Sequence, residues 1–476
     1  MEKLRVGFLP TYRFQYTDWC RQVRASGLSV LRSFEQIEVI APPAPDEGDP
    51  LPGIPQGALN TIAQAETLSD YFIAHKVQAV VVCPLDFGDE RTVSKLAERV
   101  RVPLMLYATK EPPAHDDITL SRVSDSYCGT LSIAAGLKRR QIPFYFGGIF
   151  LHEEDAFRSV LEIFLRAASV VRALQGAQIG QIGQRPAYFE TVAYDEVAMA
   201  AKFGMNVIHQ DLATILSTAQ SLDADDPALQ TNVQALRASM DEITISNEQV
   251  LTLARLETAI KAFGAQNNLR ALGINCWPQF TAQTGVSACA LFGRLTESGL
   301  PTGCETDVMG ALAMLAQYAG VFGKFPPHFI DWTIQHREHD DRFLAWHCGN
   351  APASLASPAS TRALRSRNDM LGAIPPNPAD NQAGLAQFQL MPGVVTMNRL
   401  VEYNGQWKML VTRGEIVPSD DVLAGTWAWV RVKDHQRLYR VLAEEGFMHH
   451  ASLIHADLAE VMRLACQFMD IEVVEV

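Results

Sequence analysis

Residues 77–83 read VQAVVVC, residues 90–100 read ERTVSKLAERV, and residues 102–107 read VPLMLY. The outer segments are nearly continuous apolar runs, as a parallel strand buried on both faces requires. The middle segment repeats its apolar residues at three- and four-residue spacing, the signature of an amphipathic helix. Strand, helix and strand in that order predict a parallel α/β sheet. Upstream, Leu4 to Leu9 forms another apolar run closed by Pro10, so the first 110 residues alternate as doubly wound folds do. Residues 41–57 hold six prolines and read as an exposed loop within that domain.

Downstream the alternation repeats. Asp155 to Leu174 predicts a long amphipathic helix leading into a second α/β unit. There Ala177 to Gly183 reads as a strand, Glu196 to Phe203 as a helix stopped by Gly204, and Val207-Ile208 as a short strand. Residues 248–266 predict another helix and Ala271 to Cys276 another strand. A stretch rich in Pro, Ala, Ser and Asn, from Ala351 to Gly384, reads as a connector. Beyond it Gly393 to Tyr403, Trp407 to Val417 and Thr426 to Val432 read as antiparallel strands, and a helix follows from Asp457 to Met469. The expected organisation is α/β: two doubly wound domains, 1–170 and 171–350, and a β-rich domain, 351–476.

With 40 basic and 53 acidic residues among 476, the net charge of −13 disfavours a polyanionic partner such as nucleic acid. No stretch reaches the ~20 uninterrupted apolar residues of a membrane span, and the N-terminal apolar run is too short for a signal-peptide core. Eight cysteines are scattered without a CxxC pair, so most are expected as small buried hydrophobes in a reducing cytoplasm.

The chemistry concentrates between 275 and 350 and near 450. Residues 293–307 read as a polar, glycine-punctuated loop leading into the helix DVMGALAMLAQYAG. Glu305 then lies near a helix N-terminus, where the dipole favours its ionised form. The structural alternative is a capping box, with Thr302 three residues before Glu305. Residues 327–332, PHFIDW, read as a strand ending in Asp331, and ligands gather beyond strand carboxyl ends in open α/β sheets. Eight of the twelve histidines follow residue 327, among them His336, His339, His347 and the His449-His450 pair.

The segments GLPTGCETDVMGALAM, FIDWT, WHCGNAP and FMHHASLIHADL resemble the L-fucose/L-arabinose isomerase superfamily, most closely its L-fucose isomerase branch and that branch's shorter members. The resemblance implies two Rossmann-like domains followed by a barrel-like domain. It implies that Glu305, Asp331 and His450 hold a divalent ion, usually Mn²⁺, and that the two carboxylates are the acid/base pair of an aldose–ketose interconversion. It also implies a homo-oligomer, trimer or hexamer, whose sites a neighbouring subunit completes. Two carboxylates with one imidazole suit Mn²⁺ or Mg²⁺ better than a closed tetrahedral zinc site. His347 and Asn350 on their glycine turn, His449, the Trp277 ring and Arg185 are the candidate substrate contacts; the alternatives are a structural turn for the first two, packing for His449 and Trp277, and a neighbouring subunit for Arg185. The expected reaction is ketol isomerisation of a free aldose such as L-fucose or D-arabinose through an enediol. The alternatives are a sugar-binding protein without catalysis and a metal-dependent epimerase or aldolase.

Overall fold

The structure is a computed structural model that describes residues 2–111, 123–367 and 383–476. Residues 368–382 of the expected connector lie outside the described residues. The chain divides into two compact units, Met1–Arg172 with Gln467–Met469, and Ala173–Cys466 with Asp470–Val476.

The first unit is built on strands β1 (Leu4–Thr11), β2 (Ile37–Ile40), β3 (Ala79–Pro84), β4 (Leu104–Thr109) and β5 (Tyr145–Phe150). They pair in parallel in the order β2-β1-β3-β4-β5. Every residue of β3 and β4 is buried, the physical reason for their unbroken apolar sequence. The helix Glu90–Val100 has the bounds its periodicity predicts, capped by Asp89 through bonds from the Arg91 and Thr92 amides. Pro10 does not end β1, which continues to Thr11 opposite β3.

Buried against this sheet, His152 joins Ser26 Oγ at Nδ1 (2.6 Å) and the Tyr107 hydroxyl at Nε2 (2.8 Å). Burial holds its imidazole down at about 4, against an ordinary 6.5. The folded ring therefore stays neutral through a range in which the unfolded ring takes up a proton. Stability should fall as pH drops from 6.5 towards 4, by about 3 kcal/mol at most. Hydrogen exchange at the β4 amides should show that loss in the wild type and a smaller one in His152→Gln.

The second unit contains β6 (Gln178–Ile182), β7 (Asn206–Gln210), the two-residue β8 (Glu242–Ile243), β9 (Leu269–Ile274) and β10 (Thr302–Cys304). Four of these form a parallel sheet in the order β10-β9-β6-β7. The helices Glu196–Phe203 and Asn247–Gln266 lie where the sequence places them, and Gly204 takes the left-handed cap (φ +66°). The rest of the unit is a large sheet of β11 (His328–Gln335), β12 (Arg342–His347), β13 (Ala363–Ser366), β14 (Ala383–Gln389), β15 (Gly393–Tyr403), β16 (Gln406–Ile416), β17 (Thr426–Arg431), β18 (His450–Ile454) and β19 (Glu472–Glu475), with β8 at its edge. Because β16 pairs with both β15 and β17, six strands close into a barrel in the order β16-β15-β18-β11-β12-β17. Strands from before and after residue 350 share this sheet, so the expected boundary at 350/351 falls inside continuous backbone pairing. No described helix is long and apolar enough to cross a membrane.

One helix joins the two sheets. Val308–Gly320 packs on β9 and β10 on one side and on β11, β15 and β18 of the barrel on the other. All of its residues except Tyr318 are buried, which explains why VMGALAMLAQYAG is apolar all round. Its one polar interior side chain is fully used. Gln317 Nε2 donates to Thr396 O (2.9 Å), Asn398 Oδ1 (2.7 Å) and Ser452 O (3.1 Å), and Gln317 Oε1 accepts from Ser452 Oγ.

Candidate active site

The amino end of that helix brings the three principal sequence candidates together. Residues 289–297 are helical, so the expected loop 293–307 begins only at Ser298, and β10 follows it. The chain then turns sharply: Glu305 and Thr306 are both left-handed, each with φ +60°. Two such residues in succession, one β-branched, store strain of roughly 1–3 kcal/mol each unless the surroundings hold them. Here the Thr306 amide donates to Ile274 O and the Asp307 amide to Cys304 O, both at 3.0 Å. Glycine makes room for the turn, since a Cβ on Gly303 would meet Asp307 O at 2.4 Å.

The helix cap is Asp307, whose Oδ1 accepts from the Gly310 amide at 2.8 Å. The capping box of Thr302 and Glu305 does not form, because Thr302 is a strand residue. Glu305 is thereby free to face the barrel. Asp331 is not the last residue of its strand, nor does it lie in a parallel sheet. It sits inside antiparallel β11, directly opposite His450 on β18 and Trp346 on β12. Cross-strand pairing therefore fixes Asp331 and His450 on one face of the barrel.

His450 is buried and central. Its Nε2 lies 3.3 Å from Glu305 Oε2 and 3.7 Å from Asp331 Oδ1, while Nδ1 lies 2.9 Å from Asp307 Oδ2. Burial lowers the imidazole's proton affinity, but Asp307 and Glu305, with Asp331 adding to them, outweigh it and raise the pKa to about 9. Asp307 is wholly buried and also paired with Arg399, which is 2% exposed. Its own burial would raise its pKa; Arg399 and His450 reverse that and hold the carboxyl well below its usual range. Glu305 Oε2 and Asp331 Oδ1 are buried yet accept no hydrogen bond. Two donor-less carboxylate oxygens facing one imidazole nitrogen, whose other nitrogen is already bound, form a set that fits a hard dication.

A cavity of about 340 Å³ opens beside Glu305. Trp277, Phe189, His347, Trp346 and Arg367 contribute to its wall. His347 accepts the Cys348 amide at Nδ1 (2.9 Å), which leaves Nε2 available. His449 is exposed, with its ring 4.1 Å from that of His450 and 5.7 Å from Phe189. Three expected contacts, His449, Asn350 and Arg185, are not among the residues of this wall. Asn350 is buried, with Oδ1 3.0 Å from His328 Nε2, because its turn faces the interior. Arg185 is exposed and donates to Pro186 O.

Sequence reasoning missed Asp307, Arg399, Phe189 and Arg367. An acid immediately before an apolar helical run was the available signal for Asp307, and an arginine in the middle of the apolar strand Gly393–Tyr403 was the signal for Arg399. Cys276, Cys289, Cys304 and Cys348 do more than fill the core, since all four line the cavity. Breaking the buried Asp307–Arg399 pair from one side leaves a charge without a partner, so Arg399→Met should cost about 3–5 kcal/mol in urea unfolding.

Comparison with known proteins gives two domain matches in chain order. A family model described as the fucose/sulfoquinovose isomerase N-terminal domain matches residues 50–175, and one described as the L-fucose isomerase C-terminal domain matches residues 345–476. A sulfoquinovose isomerase from Alkalicoccus urumqiensis is 27% identical over 405 residues, covering 84% of this chain and 86% of its own. One from Priestia aryabhattai is 26% identical over 416 residues (85% and 87%), and one from Clostridium sp. (strain MSTE9) is 23% identical over 425 residues (87% and 90%). His347, Arg367, His449 and His450 fall within the second matched block, and Glu305 and Asp331 lie between the two. With both domain models matched and relatives aligned along most of their length, the chain belongs to the L-fucose isomerase-like superfamily, among its shorter members.

Proposed function

We propose that this chain is a divalent-metal-dependent aldose–ketose isomerase, with Glu305, Asp331 and His450 as the ligands of the ion. One observation carries the reading: Glu305 Oε2 and Asp331 Oδ1, both buried without a donor, converge on His450 Nε2. The donor set favours Mn²⁺ or Mg²⁺. When bound, such an ion acts as a Lewis acid, polarising the sugar oxygens at C1 and C2 and offsetting the charge of the enediolate.

The side chains supply the rest. Isomerisation moves a proton between C1 and C2, and a carboxylate positioned over those carbons takes it from one and returns it to the other. Glu305 and Asp331 are the pair for this work, one at carbon and the other moving a proton between the sugar oxygens. Asp307 holds Nδ1 of His450, fixing the ring so that Nε2 faces the carboxylates. The free Nε2 of His347 is available to a sugar hydroxyl, and Trp277 and Phe189 offer apolar walls that limit water at the reacting carbons.

For the substrate we favour an aldose carrying an anionic group away from C1. The named activity of the relatives, sulfoquinovose isomerisation, supports this, as does Arg367 on the cavity wall. L-fucose and D-arabinose lack that anion and are the comparison substrates.

Metal-stripped protein should form no ketose from sulfoquinovose and recover activity with Mn²⁺. Glu305→Gln and Asp331→Asn should each lower kcat by about 10²–10⁴-fold. Full activity without metal, or an unimpaired Glu305→Gln, would overturn the assignment. Arg367→Ala should raise KM for the sulfonated sugar by about tenfold or more, with kcat little changed, as expected for a charge-assisted contact. An unchanged KM would remove Arg367 from substrate recognition.

A further inference from the structure

Cys276 and Cys304 bring their sulfurs to 3.2 Å at one end of the parallel sheet. Cys304 is the last residue of β10 and pairs with Ile274 of β9, and Cys276 lies two residues beyond Ile274. Both thiols are buried, and both residues line the cavity beside Glu305. The left-handed turn at 305–306 folds the Glu305 carboxylate back beside them. One carboxylate oxygen and the two sulfurs all lie within 4.8 Å of one another. Isomerisation as derived above uses neither sulfur.

Two soft donors and one carboxylate, with a fourth position open to the cavity, form a ligand set suited to a thiophilic dication. The same carboxylate lies 3.3 Å from His450 Nε2 through its Oε2. We propose that Cys276, Cys304 and Glu305 form a second cation site, selective for Zn²⁺- or Cd²⁺-like ions, which competes with the catalytic ion for Glu305. This rests on the reading of Glu305 as a ligand of the catalytic ion. A thiophilic cation held here draws Glu305 away from Asp331 and His450, so the fold would make the enzyme sensitive to soft metals. Cys289 and Cys348 line the same cavity but join no such three-residue group among the described residues, which makes them internal controls.

The test is Cd²⁺ titration of the full-length, reduced, metal-free chain, read by the ultraviolet charge-transfer band of cadmium thiolates. The band should saturate at one Cd²⁺ per chain and be lost in Cys276→Ser/Cys304→Ser. It should persist in Cys289→Ser/Cys348→Ser. Glu305→Gln should keep the band but weaken Cd²⁺ binding by about tenfold, the usual scale for removing a group that supports a metal site. Absence of the band in the wild type, its survival in Cys276→Ser/Cys304→Ser, or its loss in Cys289→Ser/Cys348→Ser would each overturn the proposal. Because no sugar is present, the band reports on this site even if the isomerase reading fails. That other reading is judged by Mn²⁺ binding before cadmium is added. Where Mn²⁺ does bind, saturation with Cd²⁺ should weaken it, and an unchanged Mn²⁺ affinity would overturn the shared use of Glu305.

Discussion

The structure around the site depends on one buried carboxylate. Asp307 caps the helix Val308–Gly320, pairs with Arg399 of β15 and holds Nδ1 of His450 on β18. Helix, barrel and imidazole are thus fixed by a single side chain with no exposure to water. An ionised group in that position is costly unless every lone pair is used, and the cap, the guanidinium and the imidazole use them. The helix itself is packed between the parallel sheet and the barrel, and its interior amide, Gln317, is bonded to β15 and β18 of the barrel.

This arrangement separates support from chemistry. Asp307 and Arg399 hold position, and the left-handed turn before them presents Glu305. The antiparallel pairing of β11 with β18 presents Asp331 and His450 at the same level. The candidate ligands come from a loop and two strands, yet each is fixed by backbone pairing or by a buried bond. That is the rigidity a preorganised site needs, because small displacements of reacting groups cost large factors in rate.

Much of the fold was legible in local pattern. Buried parallel strands are apolar without interruption, and the helices at 90–100, 155–174 and 196–203 carry both period and end signals, so their bounds agree with the sequence reading. Glycine misled where its purpose was tertiary. Gly293 suggested a loop, but it lies in a helix, at a position where a Cβ would meet Ala351 O at 2.4 Å. The strand holding Asp331 was expected to stop there, but it runs on to Gln335, and its last three residues are exposed. Glu305, Asp331 and His450 were singled out as candidates through the motifs surrounding them. The Asp307 contacts to Arg399 and His450 were not, because they join residues 92 and 143 positions apart and no local pattern records such a pairing. Cysteines read as core filler proved to line the cavity for the same reason.

Anomalous diffraction from crystals of this chain soaked in Mn²⁺ tests the central claim most directly. A single strong peak within bonding reach of Glu305 Oε2, Asp331 Oδ1 and His450 Nε2, with Asp307 still on Nδ1, is the predicted result. A saturating soak that leaves those three atoms without a peak, or that puts manganese on a different set of side chains, would contradict it.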